Sequence, residues 1–286
     1  MSGAETELPP FEPPNKIEKK LIPQPLLMLA KMEKRMAELT KLVEGSIHPS
    51  AVEDRQWASQ ACLKRYLRVE EGNVSKAHKL VIATIAWRKE QATIQSSSCS
   101  ECEKDHRSHD LRCFGEDVYG RPIMYNSFAG CTARNPQGLL DHFILVGEEC
   151  IRRMQSENVE SWVWICDFEG FGMRDAVDPR FSIWLIQMLQ NHYPERLGAC
   201  VVIDAPKIFN VLWKAAKSVA ASNTLRKCIF IYGEEARNTF ADVLFGAGRG
   251  DDSAWLKEHL RFVRDKQALR AGWAEPHKRP PSFEPR

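Results

Sequence analysis

The sequence lacks a long hydrophobic run. Nowhere among its 286 residues does a stretch approach the roughly 18 consecutive apolar residues that a helix needs to span a bilayer. The opening residues 1–26 are proline-rich and charged, without the apolar segment of a secretory signal, so we expect no export. Any contact with membranes is therefore expected to be peripheral.

The sequence also lacks an excess of either charge, with 40 basic and 38 acidic side chains and a formal net charge of +2. A dedicated nucleic-acid binder needs a basic excess that neutralises many phosphates. We therefore predict no nucleic-acid partner, and a basic function would have to come from a local patch.

A disulfide framework is not indicated. The nine cysteines are odd in number and irregularly spaced, which is typical of free thiols in a reducing, cytoplasmic environment.

Motifs of common catalytic sites are missing as well. The sequence contains no G-x-S-x-G, P-loop or H-E-x-x-H pattern. The glycines at 246, 248 and 250 follow a predicted helix and favour a C-terminal loop over a phosphate cradle. His192 is more typical of a helix end than of a catalyst. We therefore predict a binding protein, not an enzyme, that works as a monomer without a cofactor.

The chain divides by pattern into four parts. Residues 1–24 are predicted to be a flexible proline-rich arm, 25–105 a helical subdomain, 106–247 an α/β domain, and 248–286 a C-terminal helix and flexible tail. Helices are predicted over 26–43 and 51–69, Gly72 is a predicted stop, and Asn73 is a predicted N-cap for the next helix.

The second half alternates strands with helices. Short apolar runs at 123–125, 162–166, 200–203 and 228–231 predict strands. Helical periodicity separates them, and one helix is predicted to begin at Asp178 and Pro179. This alternation indicates an α/β sheet with crossover helices.

Polar groups bracket the apolar segment 190–227. Glu195 and Arg196 lie where a helix gives way to a strand, and Thr224 and Lys227 lie where a turn enters the next strand. Such an arrangement suits a molecule with a polar head and oily tails, most simply a lipid. The alternative is a surface salt bridge, which is worth at most about 1 kcal/mol.

The helix predicted over 207–220 has one polar stripe along an otherwise apolar surface. The stripe consists of Lys207, Asn210, Lys214, Lys217 and Ser218. Such a helix can lie among lipid headgroups, or it can pack on the sheet with a solvated lysine edge. The spacing alone favours the packed helix.

Six blocks in order resemble the CRAL-TRIO lipid-binding family, in particular its phosphatidylinositol transfer branch. They fall within about residues 58–246 and read LKRYLRVEEGNVSKAHKL with AWRKE, GEDVYGRPIMY, ICDFEG, LQNHYPERLG, DAPKIFNVLWK and TLRKCIFI. The resemblance implies an all-helical N-terminal subdomain and a mixed sheet with crossover helices. It also implies a pocket for one lipid, closed by a gate helix that matches residues 206–219.

The resemblance also implies roles for individual residues. The implied headgroup contacts are Glu195, Thr224 and Lys227, with Arg68 from the helical part, while Arg196 orients Glu195 or meets the phosphate. The implied gate and membrane contacts are Lys207, Phe209, Leu212, Trp213, Lys214 and Lys217. The expected partners are a phosphatidylinositol-type lipid, bound as ligand, and, transiently, an anionic membrane surface.

The sequence departs from the family on one strand and beside the gate. Trp162 and Trp164 stand where members that handle phosphatidylcholine have small hydroxyl residues, so exchange of that lipid is not expected. Asp204 and Lys207 stand where the family more often has asparagine and an aromatic residue.

Residues of zinc-ligand type occur at Cys99, Cys102, His106 and His109. Only three residues separate Cys102 from His106, which is shorter than the usual finger spacing, so a polar loop with incidental thiols is favoured and no metal is predicted.

Three functions remain open at this point: a phosphatidylinositol binder and transfer protein, a carrier of a tocopherol- or retinoid-type molecule, or an interaction scaffold with a vestigial pocket. The intact set of Glu195, Thr224 and Lys227 favours the first.

Overall fold

The computed structural model describes residues 9–23, 31–91, 98–129, 131–133, 135–154, 158–172, 179–246 and 248–265. Within these ranges the chain forms a helical part followed by a five-stranded sheet that carries helices on both faces. Among the described residues, no helix combines the length and apolar character that crossing a bilayer requires.

The helical part is built from four helices around one core. They are α2 (Met32–Ser46), α3 (Val52–Trp57), α4 (Gln60–Val69) and α5 (Val74–Glu90). The core consists of apolar side chains that recur at helical spacing, among them Leu39, Val43, Leu63, Leu67, Ala77 and Val81.

Local capping sets the ends of these helices. Gly72 has φ +83° and closes α4, and the side chain of Asn73 accepts a hydrogen bond from Lys76 N at 3.0 Å, as predicted. The single helix predicted over 51–69 is wrong, because Ser59 has extended backbone and caps α4 by accepting from Cys62 N. The predicted start of α2 at residue 26 lies outside the described residues.

The sheet has strand order β1-β2-β3-β4-β5. Its strands are β1 (Asp110–Glu116), β2 (Pro122–Ser127), β3 (Trp162–Asp167), β4 (Leu197–Ile203) and β5 (Cys228–Ile231). Strand β1 runs antiparallel to β2, and β2 to β5 run parallel. Strand β1 was not predicted, because it is mostly half-buried and its apolar pattern is interrupted by Arg112.

The connections between the parallel strands cover one face of the sheet. They are α7 (Pro136–Arg153), α8 (Pro179–His192), α9 (Phe209–Val219) and the short α10 (Ser222–Arg226), and a further short helix, α6 (Ser100–Lys104), precedes β1. Side chains alternate along a strand, so Trp164, Cys200 and Val202 face these helices. Asp178, the predicted N-cap of α8, lies outside the described residues.

The opposite face of the sheet is covered by helices from the two ends of the chain. These are α1 (Pro14–Leu21), α11 (Glu234–Phe245) and α12 (Gly250–Phe262). Their apolar side chains pack on the alternate set of strand residues, which includes Val163, Ile165, Val201 and Ile229. The residues predicted to form the tail, from 272 onwards, lie outside the described residues.

Helix α1 corrects the prediction that residues 1–24 form a flexible arm. Pro14 begins this helix at its first position, and Ile17 and Leu21 are almost fully buried against the sheet and α11. The composition did not indicate this helix. Apart from Pro14, its eight residues contain only two apolar side chains, and it begins within the second of two proline pairs.

Candidate functional site

A large cavity lies between the sheet and helices α7, α8 and α9. Its volume is about 940 Å³, near the upper end of the roughly 300–1,000 Å³ typical of small-molecule sites. Most of its wall is apolar. Strands β3 and β4 contribute Trp164, Cys166, Cys200 and Val202, and the helices contribute Leu139, Phe143, Phe181, Leu185, Leu189, Phe209, Leu212 and Trp213.

Polar side chains gather at one end of this cavity because of the strand topology. Glu160 and Ser161 precede β3, Glu195 precedes β4, and Lys227 precedes β5. The amino ends of parallel strands meet at the same edge of a sheet, so residues far apart in the sequence converge there. We call Arg68, Glu160, Glu195, Thr224 and Lys227 the polar cluster.

Arg68 organises the polar cluster from α4. Its Nε donates to Glu195 Oε2 at 2.5 Å, and its Nη2 donates to Glu160. The residue is only 2% exposed, yet Nη1 is buried without a hydrogen-bond partner among the described residues. Buried polar groups are nearly always satisfied, so this unpaired donor, on a residue that lines the cavity, marks a place where a partner is missing.

Glu195 occupies a backbone conformation that favours glycine. Its φ is +59°, in the left-handed region, which typically costs about 1–3 kcal/mol for other residues. The ion pair with Arg68 holds the carboxylate in this turn. Its side chain remains 23% exposed and lines the cavity.

Lys227 brings a second cation to the cluster. Its Nζ donates to the carbonyl oxygen of Leu197 at 2.6 Å. Burial lowers the pKa of this ammonium group, and the nearby Glu195 partly opposes that shift. The neighbouring Thr224 is half-buried and lines the same part of the cavity.

Arg196 lies behind the cavity and is not among its lining residues. Its Nη1 donates to the backbone carbonyl of Glu160 at 2.9 Å, and burial lowers the pKa of its guanidinium to about 10. The side chain that orients Glu195 is thus Arg68, and the implied contact of Arg196 with a phosphate has no support from this arrangement.

Two further polar residues of the site were missed. Arg121 lines the cavity and is held by Asp117, to which its Nε donates at 2.8 Å. Its Nη1 lies 2.9 Å from the place that a Cβ on Gly198 would occupy, so only glycine fits there. The GRP turn was a usable signal for Arg121, whereas no local pattern marks Glu160.

Helix α9 closes one side of the cavity with its aromatic residues turned inward. Phe209 is 7% exposed and contacts Phe168 and Phe230, and Trp213 stacks beside it. In the conformation seen here Phe209, Leu212 and Trp213 all line the cavity, and their contact with a membrane stays a prediction.

The outer side of α9 carries the lysine stripe. Lys214 and Lys217 are exposed on α9, as are Val211 at 51% and Lys207, which lies two residues before the helix begins. The helix contains no acidic residue.

The two tryptophans of β3 occupy different environments. Trp164 lines the cavity and packs edge-on against Phe143, with ring centroids 5.0 Å apart. Trp162 is 1% exposed and packs near Tyr193, away from the cavity lining. Only Trp164 can therefore affect which ligand fits.

The remaining predicted residues lie apart from the polar cluster. His192 stacks on Trp87, and burial lowers the pKa of its imidazole to about 4. Cys99, Cys102 and His109 converge with His142, whereas His106 is exposed.

Comparisons with known proteins agree with this architecture. Residues 111–243 match the CRAL/TRIO domain family. The chain superposes on the crystal structure of Sfh5 with a TM-score of 0.55 and 14% identity, over 76% of this chain and 81% of that one. This likeness concerns the fold.

Several curated proteins are similar in sequence. They include CRAL-TRIO domain-containing protein C23B6.04c of Schizosaccharomyces pombe, 26% identical over 54% of this chain and 15% of its own length. Protein real-time of Drosophila melanogaster is 26% identical over 71% of this chain and 32% of its own. Phosphatidylinositol transfer protein PDR17 of Saccharomyces cerevisiae is 22% identical over 62% of this chain and 53% of its own.

The chain thus spans only about a third or less of the first two of these relatives and about half of the third. The domain match covers most of the sheet and the helices that enclose the cavity. Residues 111–243, with most of the sheet and the enclosed apolar cavity, therefore form a CRAL/TRIO domain.

Proposed function

We propose that this protein holds one phosphatidylinositol-type phospholipid and moves or presents it between membranes. The observation that carries the proposal is the buried Nη1 of Arg68, which has no partner among the described residues and belongs to a residue that lines a large apolar cavity. A guanidinium group is well suited to a phosphate, since its N–H groups match phosphate oxygens.

The polar cluster offers different contacts to the two parts of such a headgroup. Arg68 Nη1 and Lys227 Nζ are donors for the phosphodiester, and Thr224 adds a hydroxyl. The carboxylates of Glu160 and Glu195 accept hydrogen bonds, which suits inositol hydroxyls. A choline group has no hydroxyl to donate, so this combination favours a polyol headgroup.

The acyl chains would occupy the apolar remainder of the cavity under α9. Phe209, Leu212 and Trp213 would contact them in the closed state. The similarity to a protein named as a phosphatidylinositol transfer protein supports this assignment. In this proposal the protein performs no chemical step and needs no cofactor.

Delivery would take place at an anionic membrane surface. The exposed lysines of α9 provide the electrostatic attraction, and each is worth about 1 kcal/mol near such a surface. Outward movement of α9 would then present Phe209 and Trp213 to the bilayer. We infer that the protein works as a monomer in the cytoplasm, peripheral to membranes and without nucleic acid.

The experiment that tests the proposal compares two lysine variants. Lys227→Ala removes a cation from the cavity, and we expect phosphatidylinositol affinity to fall by roughly 10- to 150-fold, the equivalent of about 1.5–3 kcal/mol for a charge-assisted hydrogen bond. Lys20→Ala is the matched control, because Lys20 Nζ also donates to a backbone carbonyl, that of Cys228, but does not line the cavity.

The measurements are lipid analysis of the purified protein and transfer of labelled phosphatidylinositol between vesicles. We expect one phosphatidylinositol per parent chain, near-parent transfer by Lys20→Ala, and little transfer by a folded Lys227→Ala. Copurification of only sterol or isoprenoid would indicate the hydrophobic carrier, and a parent chain that loads no lipid would indicate the scaffold. Either outcome contradicts the proposal.

A further inference from the structure

A second cluster of polar side chains lies beside the cavity, close to the carboxyl end of β2. It consists of Cys99, Cys102, His109 and His142, and the four ligand atoms lie within 4.8 Å of one another. Cys99 and Cys102 flank the start of α6, His109 precedes β1, and His142 lies on α7. Three separate elements of the fold therefore contribute to one cluster.

The distances within the cluster match those of a tetrahedral metal site. Cys102 Sγ lies 3.4 Å from His109 Nδ1 and 3.6 Å from His142 Nδ1, and Cys99 Sγ lies 3.7 Å from His109 Nδ1. With Zn–S near 2.3 Å and Zn–N near 2.0–2.1 Å, the sulfur-to-nitrogen edge of a tetrahedron is about 3.6 Å. These three sulfur-to-nitrogen distances fit the tetrahedron, and because all four atoms lie within 4.8 Å of one another, side-chain adjustment would bring them to one ion.

The second nitrogen of each histidine points to an oxygen atom, as in established zinc sites. His142 Nε2 lies 2.7 Å from the carbonyl oxygen of Leu111, so it carries the proton and leaves Nδ1 as the acceptor. His109 Nε2 lies 3.1 Å from Glu101 Oε2. His109 Nε2 and Glu101 Oε2 are both buried without a hydrogen-bond partner among the described residues. They are close enough for a hydrogen bond to each other, but their present geometry does not form one.

Helix α6 is held mainly by polar contacts of Glu101, whose carbonyl oxygen accepts from Ser108 Oγ and whose carboxylate accepts from Asn135 Nδ2. The helix has five residues, no side-chain cap and no buried residue, although its carboxylate Glu101 lies against Gly138 of α7, where a Cβ would come within 2.5 Å. A helix this short is not stable alone. A metal bond from α6 to β1 and α7 would supply the missing anchor at this end of the cavity.

We propose that Cys99, Cys102, His109 and His142 form a structural Zn²⁺ site. On binding, the two thiols release their protons to solvent, and two thiolates with two neutral imidazoles give a site with no net charge. Four protein ligands complete the tetrahedron, so no position is left for a substrate, and the soft sulfur donors favour Zn²⁺ over Mg²⁺ or Ca²⁺.

Metal analysis of the full chain tests this site. The parent protein should be purified under reducing conditions and dialysed against metal-free buffer. Elemental mass spectrometry should then find one zinc ion per chain. His142→Ala should lose the zinc, whereas His142→Cys, which replaces one zinc ligand by another, should retain it. His106→Ala is the control from the same loop and should also retain it.

Substitution of Co²⁺ gives an independent readout on the parent protein. A site with two thiolates and two imidazoles should give the visible absorption of tetrahedral cobalt, and added Zn²⁺ should abolish it. A parent chain without stoichiometric zinc or this cobalt spectrum overturns the proposal. So does retention of zinc by a folded Cys99→Ser, Cys102→Ser double variant.

Discussion

Two arginines in this molecule, the buried Arg68 and the half-buried Arg264, are paired with carboxylates in similar ways but are satisfied to different degrees. Arg264 follows α12 and binds Asp167 and Asp204, and all three of its guanidinium nitrogens have partners. Arg68 binds Glu160 and Glu195, but its Nη1 has no partner among the described residues. The first arrangement is complete without a ligand, and the second is not.

Their positions explain the difference. The Arg264 cluster lies at the carboxyl ends of β3 and β4, where Asp167 is fully buried and also accepts from Tyr125 Oη at 3.0 Å. These carboxylates hold the positive charge and raise the pKa of the Arg264 guanidinium despite its burial. The Arg68 cluster lines the cavity, and its carboxylates are partly exposed. A buried arginine therefore indicates binding only where one of its donors remains unused beside a cavity.

The largest expected effect is on folding, from Arg264→Ala. Its removal leaves the fully buried Asp167 without its cation, and breaking a buried ion pair in this way costs about 3–5 kcal/mol. Urea denaturation should show this loss in the free energy of unfolding. Arg261→Ala, three residues earlier at the end of α12, is the matched control, because Arg261 is 67% exposed and lies 3.9 Å from Glu234. Equal stability of the two variants would show that the Arg264 network is dispensable.

A smaller effect, on binding, is expected from Arg68→Lys. Lysine keeps the positive charge but lacks the planar guanidinium group. In Arg68 that group contacts both Glu160 and Glu195 and still has Nη1 unpaired. We expect phosphatidylinositol affinity to fall by roughly 10- to 150-fold, as for the loss of one charge-assisted hydrogen bond. The free energy of unfolding should fall by less than in Arg264→Ala, since Glu160 and Glu195 have access to water.

Lipid binding and urea denaturation should both be measured on Arg68→Lys and Arg264→Ala, because the two measurements separate a binding role from a structural one. If Arg68→Lys lost stability as severely as Arg264→Ala and bound lipid normally, Arg68 would be a structural residue like Arg264.

The smallest effect is expected from an exposed cation. Lys214→Ala removes one of the two lysines on the outer side of α9, and we expect about 1 kcal/mol, or roughly fivefold, weaker binding to vesicles of acidic phospholipid, with the difference lost at high salt. Lys79→Ala, an equally charged variant at an exposed site on α5, should bind as the parent does. An equal loss of vesicle binding in both variants would mean that the net charge of the protein, and not the position of the lysine on α9, determines its attraction to the membrane.

The sequence was most informative where periodicity and capping residues agree. Helix α5 follows its predicted cap at Asn73, and strands β2 to β5 occupy the four apolar runs. These elements were predictable because each contributes a regular apolar pattern to a core. Strand β1 and helix α1 were not, because their burial depends on tertiary contacts more than on their own composition.

The polar cluster was predictable in part. Glu195, Thr224 and Lys227 stand in recognisable turns, and the structure brings them to one edge of the sheet. Glu160 joins them only because β3 pairs with β4 in parallel, which no local pattern encodes. The same holds for His142, which is 33 residues from His109 in the chain and was not considered as a ligand.

Helix α1 has a consequence for how the chain can be shortened. Glu12, two residues before it, lies beside the edge strand β5, where its N donates to Phe230 O at 3.0 Å, and Arg121 Nη2 donates to Leu21 O at the other end of the helix. An uncovered edge strand is a template for pairing with another chain. A chain beginning after residue 23 would therefore expose β5 to self-association and leave a cavity arginine without one of its supports.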